Sequence, residues 1–146
     1  MEVKDRIIVA LDVDSLEKAK HIVEPLAPHV GCFKIGLELL TSVGAPAAVK
    51  CVKDLGGEVF FDGKFKDIPN TVAGASRAVT RLGVKMFNVH CLGGSKMMEE
   101  TKKAAREVAG NSRPMILGVT LLTSLDFDDL RRLKLVNFNY DIGGKE

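Results

Sequence analysis

Tryptophan is absent from this chain of 146 residues, and tyrosine occurs once. With so few flat rings to stack bases, a net charge of only +2 and no run of five like charges, a nucleic-acid role is not expected. Cysteine is scarce too: Cys32, Cys51 and Cys91 are odd in number, far apart, and form no Cys-x-x-Cys pair. That spacing suits neither a disulfide framework nor a zinc site, so the three thiols read as small buried hydrophobes. Long hydrophobic runs are also missing. The N-terminal run Ile7 to Leu11 is shorter than a signal-peptide core, and nothing approaches the ~20 residues of a membrane span. No membrane role is expected, and a reducing cytoplasm is the expected compartment.

Apolar residues make up 46% of the chain and charged residues 27%, the balance of a single globular domain, read here as 1–146. Apolar runs bounded by turn residues begin near Ile7 (IIVAL), Cys32 (CFKIG), Glu58 (EVFF), Lys85 (KMFNV) and Met115 (MILGV). Their spacing of roughly 25 to 30 residues fits one strand, one helix and two short loops. The runs are nearly continuous rather than alternating, which predicts parallel strands buried on both faces.

The segments between them read as amphipathic helices. The first takes Asp14 as N-cap with Glu17 three residues on, and buries Leu16, Ala19, Ile22, Val23 and Leu26. The second opens at Pro46, carries Val49, Val52 and Leu55, and stops at Gly56-Gly57. The third runs from about Asn70 to Gly83, the fourth from Ser95 to Ala109, and a fifth starts after Ser124 with Leu125, Leu130 and Leu133 as its stripe.

Five strand–helix units fit either an open doubly wound sheet or part of a closed (β/α)8 barrel. A dinucleotide-binding sheet should carry Gly-x-Gly-x-x-Gly after its first strand, but the chain reads Leu11-Asp12-Val13-Asp14-Ser15 there, and it lacks a Walker-type phosphate loop. Instead Asp12, Lys34, Asp62 and His90 each close a strand. Strand C-termini converge on the mouth of a barrel, so the expected fold is an incomplete (β/α)8 TIM barrel with about five parallel strands and flanking helices.

The densest chemistry lies in Asp62-Gly63-Lys64-Phe65-Lys66-Asp67-Ile68-Pro69-Asn70-Thr71. On an extended strand end, residues two apart share a face, so Asp62 and Lys64 should project together. An ammonium held against a carboxylate in a half-dry pocket can act as a general acid; the bland alternative is a solvated turn with an ion pair. His90 reads as a structural hydrogen-bonder rather than an acid or base. His21 and His29 read as solvated, Met97 and Met98 as core filler, and Lys102-Lys103 and Arg131-Arg132 as exposed helix faces.

This cluster resembles the Asp-x-Lys-x-x-Asp-Ile-Pro-Asn-Thr motif of orotidine 5'-phosphate decarboxylases. Four further blocks agree in the same order: Val9-Ala10-Leu11-Asp12, Phe33-Lys34-Ile35-Gly36, Asn88-Val89-His90 with Gly93-Gly94, and Val119 to Ser124. The likeness covers about residues 6 to 133. It implies that Lys64 protonates C6 of the pyrimidine as carbon dioxide leaves, that Asp62 crowds the substrate carboxylate, and that Lys34 and Asp67 complete an alternating chain of charges. It further implies a ribose contact at Asp12 and pyrimidine contacts at Thr123 and Ser124. Ile68 joins the implied substrate contacts, and Asp67 and Thr71 would reach into the neighbouring subunit of a homodimer. No metal or organic cofactor is implied.

Two departures from the family stand out. Gly63 occupies a position usually filled by an apolar residue, which is expected to loosen the placement of Lys64. A full barrel needs ~250 residues, whereas five of eight units are read here, and residues 134–146 diverge. The family's phosphate-gripping loops follow strands 7 and 8, so this chain alone is expected to be inactive or nearly so, as a truncated product or one piece of a split enzyme. Two rivals remain. One is a magnesium-dependent sugar-phosphate decarboxylase or synthase of the same superfamily; the other is a non-catalytic half-barrel that binds a partner or nucleotide.

Overall fold

The computed structural model of the chain describes residues 2–136. Five parallel strands form one sheet: Ile8–Leu11 (β1), Cys32–Ile35 (β2), Val59–Phe65 (β3), Met86–His90 (β4) and Met115–Val119 (β5). Their order across the sheet is β1-β2-β3-β4-β5, each strand lying beside the next in sequence. This order decides between the two architectures left open by the sequence. A doubly wound sheet reverses direction at its switch point, whereas a barrel winds in one direction only. The five strands wind one way, and among the described residues β1 and β5 are the free edges.

The helices are Leu16–Leu26 (α1), Leu37–Val43 (α2), Ala45–Asp54 (α3), Pro69–Arg81 (α4), Ser95–Ala109 (α5) and Phe127–Arg132 (α6). Three details differ from the sequence reading. Ser15, not Asp14, caps α1: its backbone is extended and its Oγ accepts the Lys18 N–H at 3.4 Å. Asp14 instead pairs with the Lys18 ammonium at 2.8 Å, an i,i+4 contact. The turn of helix α2 has no counterpart in the reading, since only Leu39 in it is buried and no periodic stripe marks seven residues. Leu125 lies outside α6, which opens at an Asp126/Asp129 capping box. The tail read as divergent falls mostly at residues 137–146, outside the described residues.

Strand residues meet helix stripes in a single core. Leu11, Phe33, Ile35 and Phe87 are fully buried from the sheet, against Val23, Leu39, Val52, Val72 and Met97 from the helices. Met97 is therefore filler, as read, and His21, His29, Lys102 and Lys103 are exposed. No described helix is long and apolar enough to cross a membrane.

Cys32 and Cys51 are buried and Cys91 is half-buried, all three as free thiols. Burial pushes the Cys32 thiol up to about 11 and raises that of Cys51 as well. A thiol reagent applied to the native chain at mildly alkaline pH should label Cys91 first and reach Cys32 only on unfolding. Equal labelling rates for the three would contradict this packing.

Candidate active site

The strand C-termini gather the charged residues at one rim of the sheet. Asp12 follows β1, Lys34 lies near the end of β2, and Asp62 and Lys64 lie on β3. Lys34 Nζ sits 3.3 Å from Asp12 Oδ1 and 3.6 Å from Asp62 Oδ2, while Lys64 Nζ sits 2.7 Å from Asp62 Oδ1. Acid and base thus alternate along Asp12, Lys34, Asp62 and Lys64. The inner pair is the drier one: the Asp62 side chain is 10% exposed, against 64% for that of Asp12.

Asp62 and Lys64 do face each other, but strand alternation is not the reason. Phe61 pairs with Phe87 and Phe65 with Val89, so β3 carries two residues more than β4 over this stretch and bulges. Lys64 takes up the excess with φ +48°, a left-handed conformation that costs a residue bearing Cβ about 1–2 kcal/mol. Gly63 fits the same bulge. A Cβ there would lie 2.6 Å from Cε1 of Phe61 and 3.1 Å from Cε1 of Phe65, whose rings are 5.7 Å apart. The glycine expected to loosen the site instead admits two packed rings, and any side chain at 63 must displace Phe61.

Asn88, buried on β4, belonged to a recognised block but carried no assigned role. Its Nδ2 donates to Asp62 Oδ1 at 2.6 Å, and its Oδ1 accepts the Lys64 N–H at 2.7 Å. The available signal was a lone amide inside the apolar run Lys85 to Val89. Burial pushes the Asp62 carboxyl up, but hydrogen bonds from Lys64 and Asn88, with the charges of Lys64 and Lys34, outweigh it and hold it below the usual carboxylate range.

Other candidate residues lie elsewhere. Asp67 is exposed, and its Oδ1 accepts the neighbouring Ile68 N–H at 2.6 Å; among the described residues no ion pair joins it to Lys34 or Lys64. Ile68, 67% exposed, and Thr71 mark the start of α4, and a cavity of about 300 Å³ lined by Gly63, Lys64, Asp67 and Thr71 separates that helix end from the lysine. Thr123 and Ser124 are exposed on the β5–α6 loop. His90 closes β4 half-buried; its Nδ1 has no hydrogen-bond partner among the described residues, so the structural bond expected of it is not made at that atom. No group of three or more His, Cys, Asp or Glu side chains among the described residues could hold a metal ion.

The chain is similar in sequence and fold to known proteins. A protein from Moorella thermoacetica named orotidine 5'-phosphate decarboxylase is 54% identical over 134 residues, covering 90% of this chain and 53% of that protein. Its namesake from Syntrophomonas wolfei is 51% identical, covering 89% of this chain and 55% of its own. The solved orotidine 5'-phosphate decarboxylase of Lactobacillus acidophilus matches with a TM-score of 0.80 at 37% identity, over 90% of this chain and 60% of that one. An uncharacterized conserved protein from Geobacillus kaustophilus matches with the same TM-score. The chain spans about half the length of the curated relatives it matches. With the model of the orotidine 5'-phosphate decarboxylase / HUMPS family matching residues 5–142, the chain belongs to that family.

Proposed function

We propose that this chain carries the charged half of an orotidine 5'-phosphate decarboxylase site, and that the reaction is conversion of that nucleotide to UMP and carbon dioxide in pyrimidine synthesis. The observation that carries the reading is the alternating set Asp12, Lys34, Asp62 and Lys64, with contacts between 2.7 and 3.6 Å. In the reaction the bond from C6 to the carboxylate breaks, carbon dioxide leaves, and the electron pair left on C6 takes a proton. Lys64 supplies that proton from its ammonium. Asp62, held ionised by its neighbours, lies against the substrate carboxylate and repels it in the ground state, a repulsion that ends as carbon dioxide departs. Lys34 fixes the far oxygen of Asp62 and bridges to Asp12, which takes the ribose. Thr123 and Ser124, exposed on the β5–α6 loop, contact the pyrimidine. The positioned charges, with no cofactor, lower the barrier.

The site is shared between two copies of the chain. Asp67, Ile68 and Thr71 are exposed, and among the described residues Asp67 forms no ion pair with Lys34 or Lys64, which suits delivery into a neighbour's site. With this chain grafted onto the remaining half of a relative, mixing inactive Asp67→Ala and inactive Lys64→Ala versions should therefore restore turnover, because each mixed dimer contains one intact site. If activity does not return from a mixture proven to exchange subunits, the sites are not shared. The buried free thiols suit a reducing cytoplasm.

Turnover by the 146 residues alone is expected to be weak, since β1 and β5 are free sheet edges among the described residues and the rim bearing Asp12 is exposed. The reaction is better tested in a graft in which this chain replaces the matched half of the Moorella thermoacetica relative. Release of carbon dioxide from orotidine 5'-phosphate by the folded graft supports the reading, and its absence refutes it.

A further inference from the structure

We propose that Asn88 is a positioning residue of this site, one amide that clamps the Asp62 carboxylate and the bulged backbone of Lys64 at the same time. The role rests on the decarboxylase reading of the charged set, but the clamp itself stands on geometry. Asn88 is 3% exposed and lies between Phe87 and Val89, which are 0% and 1% exposed. A buried amide in such a strand is tolerated only if both ends are paired. Both are, and the partners fix its orientation. The Lys64 N–H can only donate, so the atom 2.7 Å away is Oδ1; the Asp62 carboxylate accepts, so the atom 2.6 Å from it is Nδ2.

The bulge explains why a side chain is needed here. Sheet pairing between β3 and β4 lapses from Phe61 to Phe65, and the Lys64 N–H finds its acceptor in the Asn88 amide. The same bond holds Lys64 at φ +48°, the conformation from which its ammonium reaches back to Asp62 at 2.7 Å. Asp62 Oδ1 therefore takes Lys64 Nζ and Asn88 Nδ2 together, leaving Oδ2 towards Lys34. The charged groups set against Asp62 are Lys64 on its own strand and Lys34 on β2, with Asp12 beyond Lys34. β4 contributes the neutral amide, with His90 at its end. Loss of the amide removes a bond that favours the ionised carboxylate and frees the backbone that aims the ammonium.

Three variants test the clamp: Asn88→Asp, which keeps the volume but replaces the donor with a second carboxylate; Asn88→Ala; and Val89→Ala, a packing control on the same strand. Titration of Asp62 by carbon-13 carboxyl NMR in the chain itself should move to higher pH in both Asn88 variants and stay put in Val89→Ala. In the graft, kcat should fall on the order of 10- to 100-fold in both Asn88 variants, with KM nearly unchanged. The acid limb of the rate profile should move up with the Asp62 titration, since activity needs the carboxylate. An unshifted Asp62 titration in folded Asn88→Ala overturns the clamp, as does an Asn88 variant whose rate profile matches that of Val89→Ala. If the unsubstituted graft releases no carbon dioxide, the decarboxylase reading fails, and the titration alone decides the clamp.

Discussion

Lys64→Ala is expected to slow carbon dioxide release from orotidine 5'-phosphate by about 10²- to 10⁴-fold or more in the graft, the usual weight of a positioned proton donor. Lys64 reaches Asp62 at 2.7 Å, whereas Lys34 stands 3.6 Å from the same carboxylate on its other oxygen and is tied to Asp12, so it cannot substitute. Binding of UMP should change far less, because the lost interaction matters when C6 carries the electron pair. Lys64→Gly separates chemistry from backbone strain. Glycine adopts φ +48° without the Cβ penalty, so this variant should be as inactive as Lys64→Ala yet no less stable. Single-turnover kinetics beside urea unfolding of both variants checks the pair. Retention of most activity by either would remove Lys64 from the chemistry.

Phe33→Ala should lower unfolding free energy by about 3–5 kcal/mol, a large share of the ~5–15 kcal/mol that holds a domain together. The ring is 0% exposed and lies under α3, where a Cβ on Gly57 would come within 2.9 Å of it and 2.8 Å of Val52. Neighbours this close leave little room to collapse into the space, which puts the loss towards the upper end for such truncations. The next residue is Lys34, so a β2 that sags over the cavity also moves the ammonium bridging Asp12 and Asp62. Chemical denaturation measures the loss, and a change below about 1 kcal/mol would show that the ring is not a core anchor.

Strand positions were readable as nearly continuous apolar runs such as Ile7 to Leu11 and Lys85 to Val89. The expected burial on both faces holds for the inner strands β2 and β4, while Ile8 on β1 and Met115 on β5 are exposed. Helix α5 was readable to the residue, with Ser95 at its start and Gly110 after its end. The way the sheet winds was not readable from periodicity. It depends on which strands pair, and only the charged residues at strand ends pointed to a barrel. Within the site, the residue types and their meeting were legible, but the cause was not. Alternation predicted that Asp62 would face Lys64, whereas a bulge, a left-handed lysine and a glycine between two phenylalanine rings bring them together. Bulges depend on the neighbouring strand, as does the pairing of Asn88, and neither leaves a local pattern in β3. Asp67 joined the charged chain only through the family resemblance, which implies that it reaches into the neighbouring subunit's site. Within one chain, Asp12 stands at the end of that series instead, since β1 delivers it to Lys34.

The most direct measurement is release of labelled carbon dioxide from carboxylate-labelled orotidine 5'-phosphate by the purified graft, with Lys64→Ala beside it and with chelator present and absent. Release that requires Lys64 and ignores the chelator is the predicted result, and it separates this chemistry from that of a magnesium-dependent sugar-phosphate enzyme. No release from a folded graft, or release that survives Lys64→Ala, would contradict the assignment of the Asp12, Lys34, Asp62 and Lys64 set to this reaction.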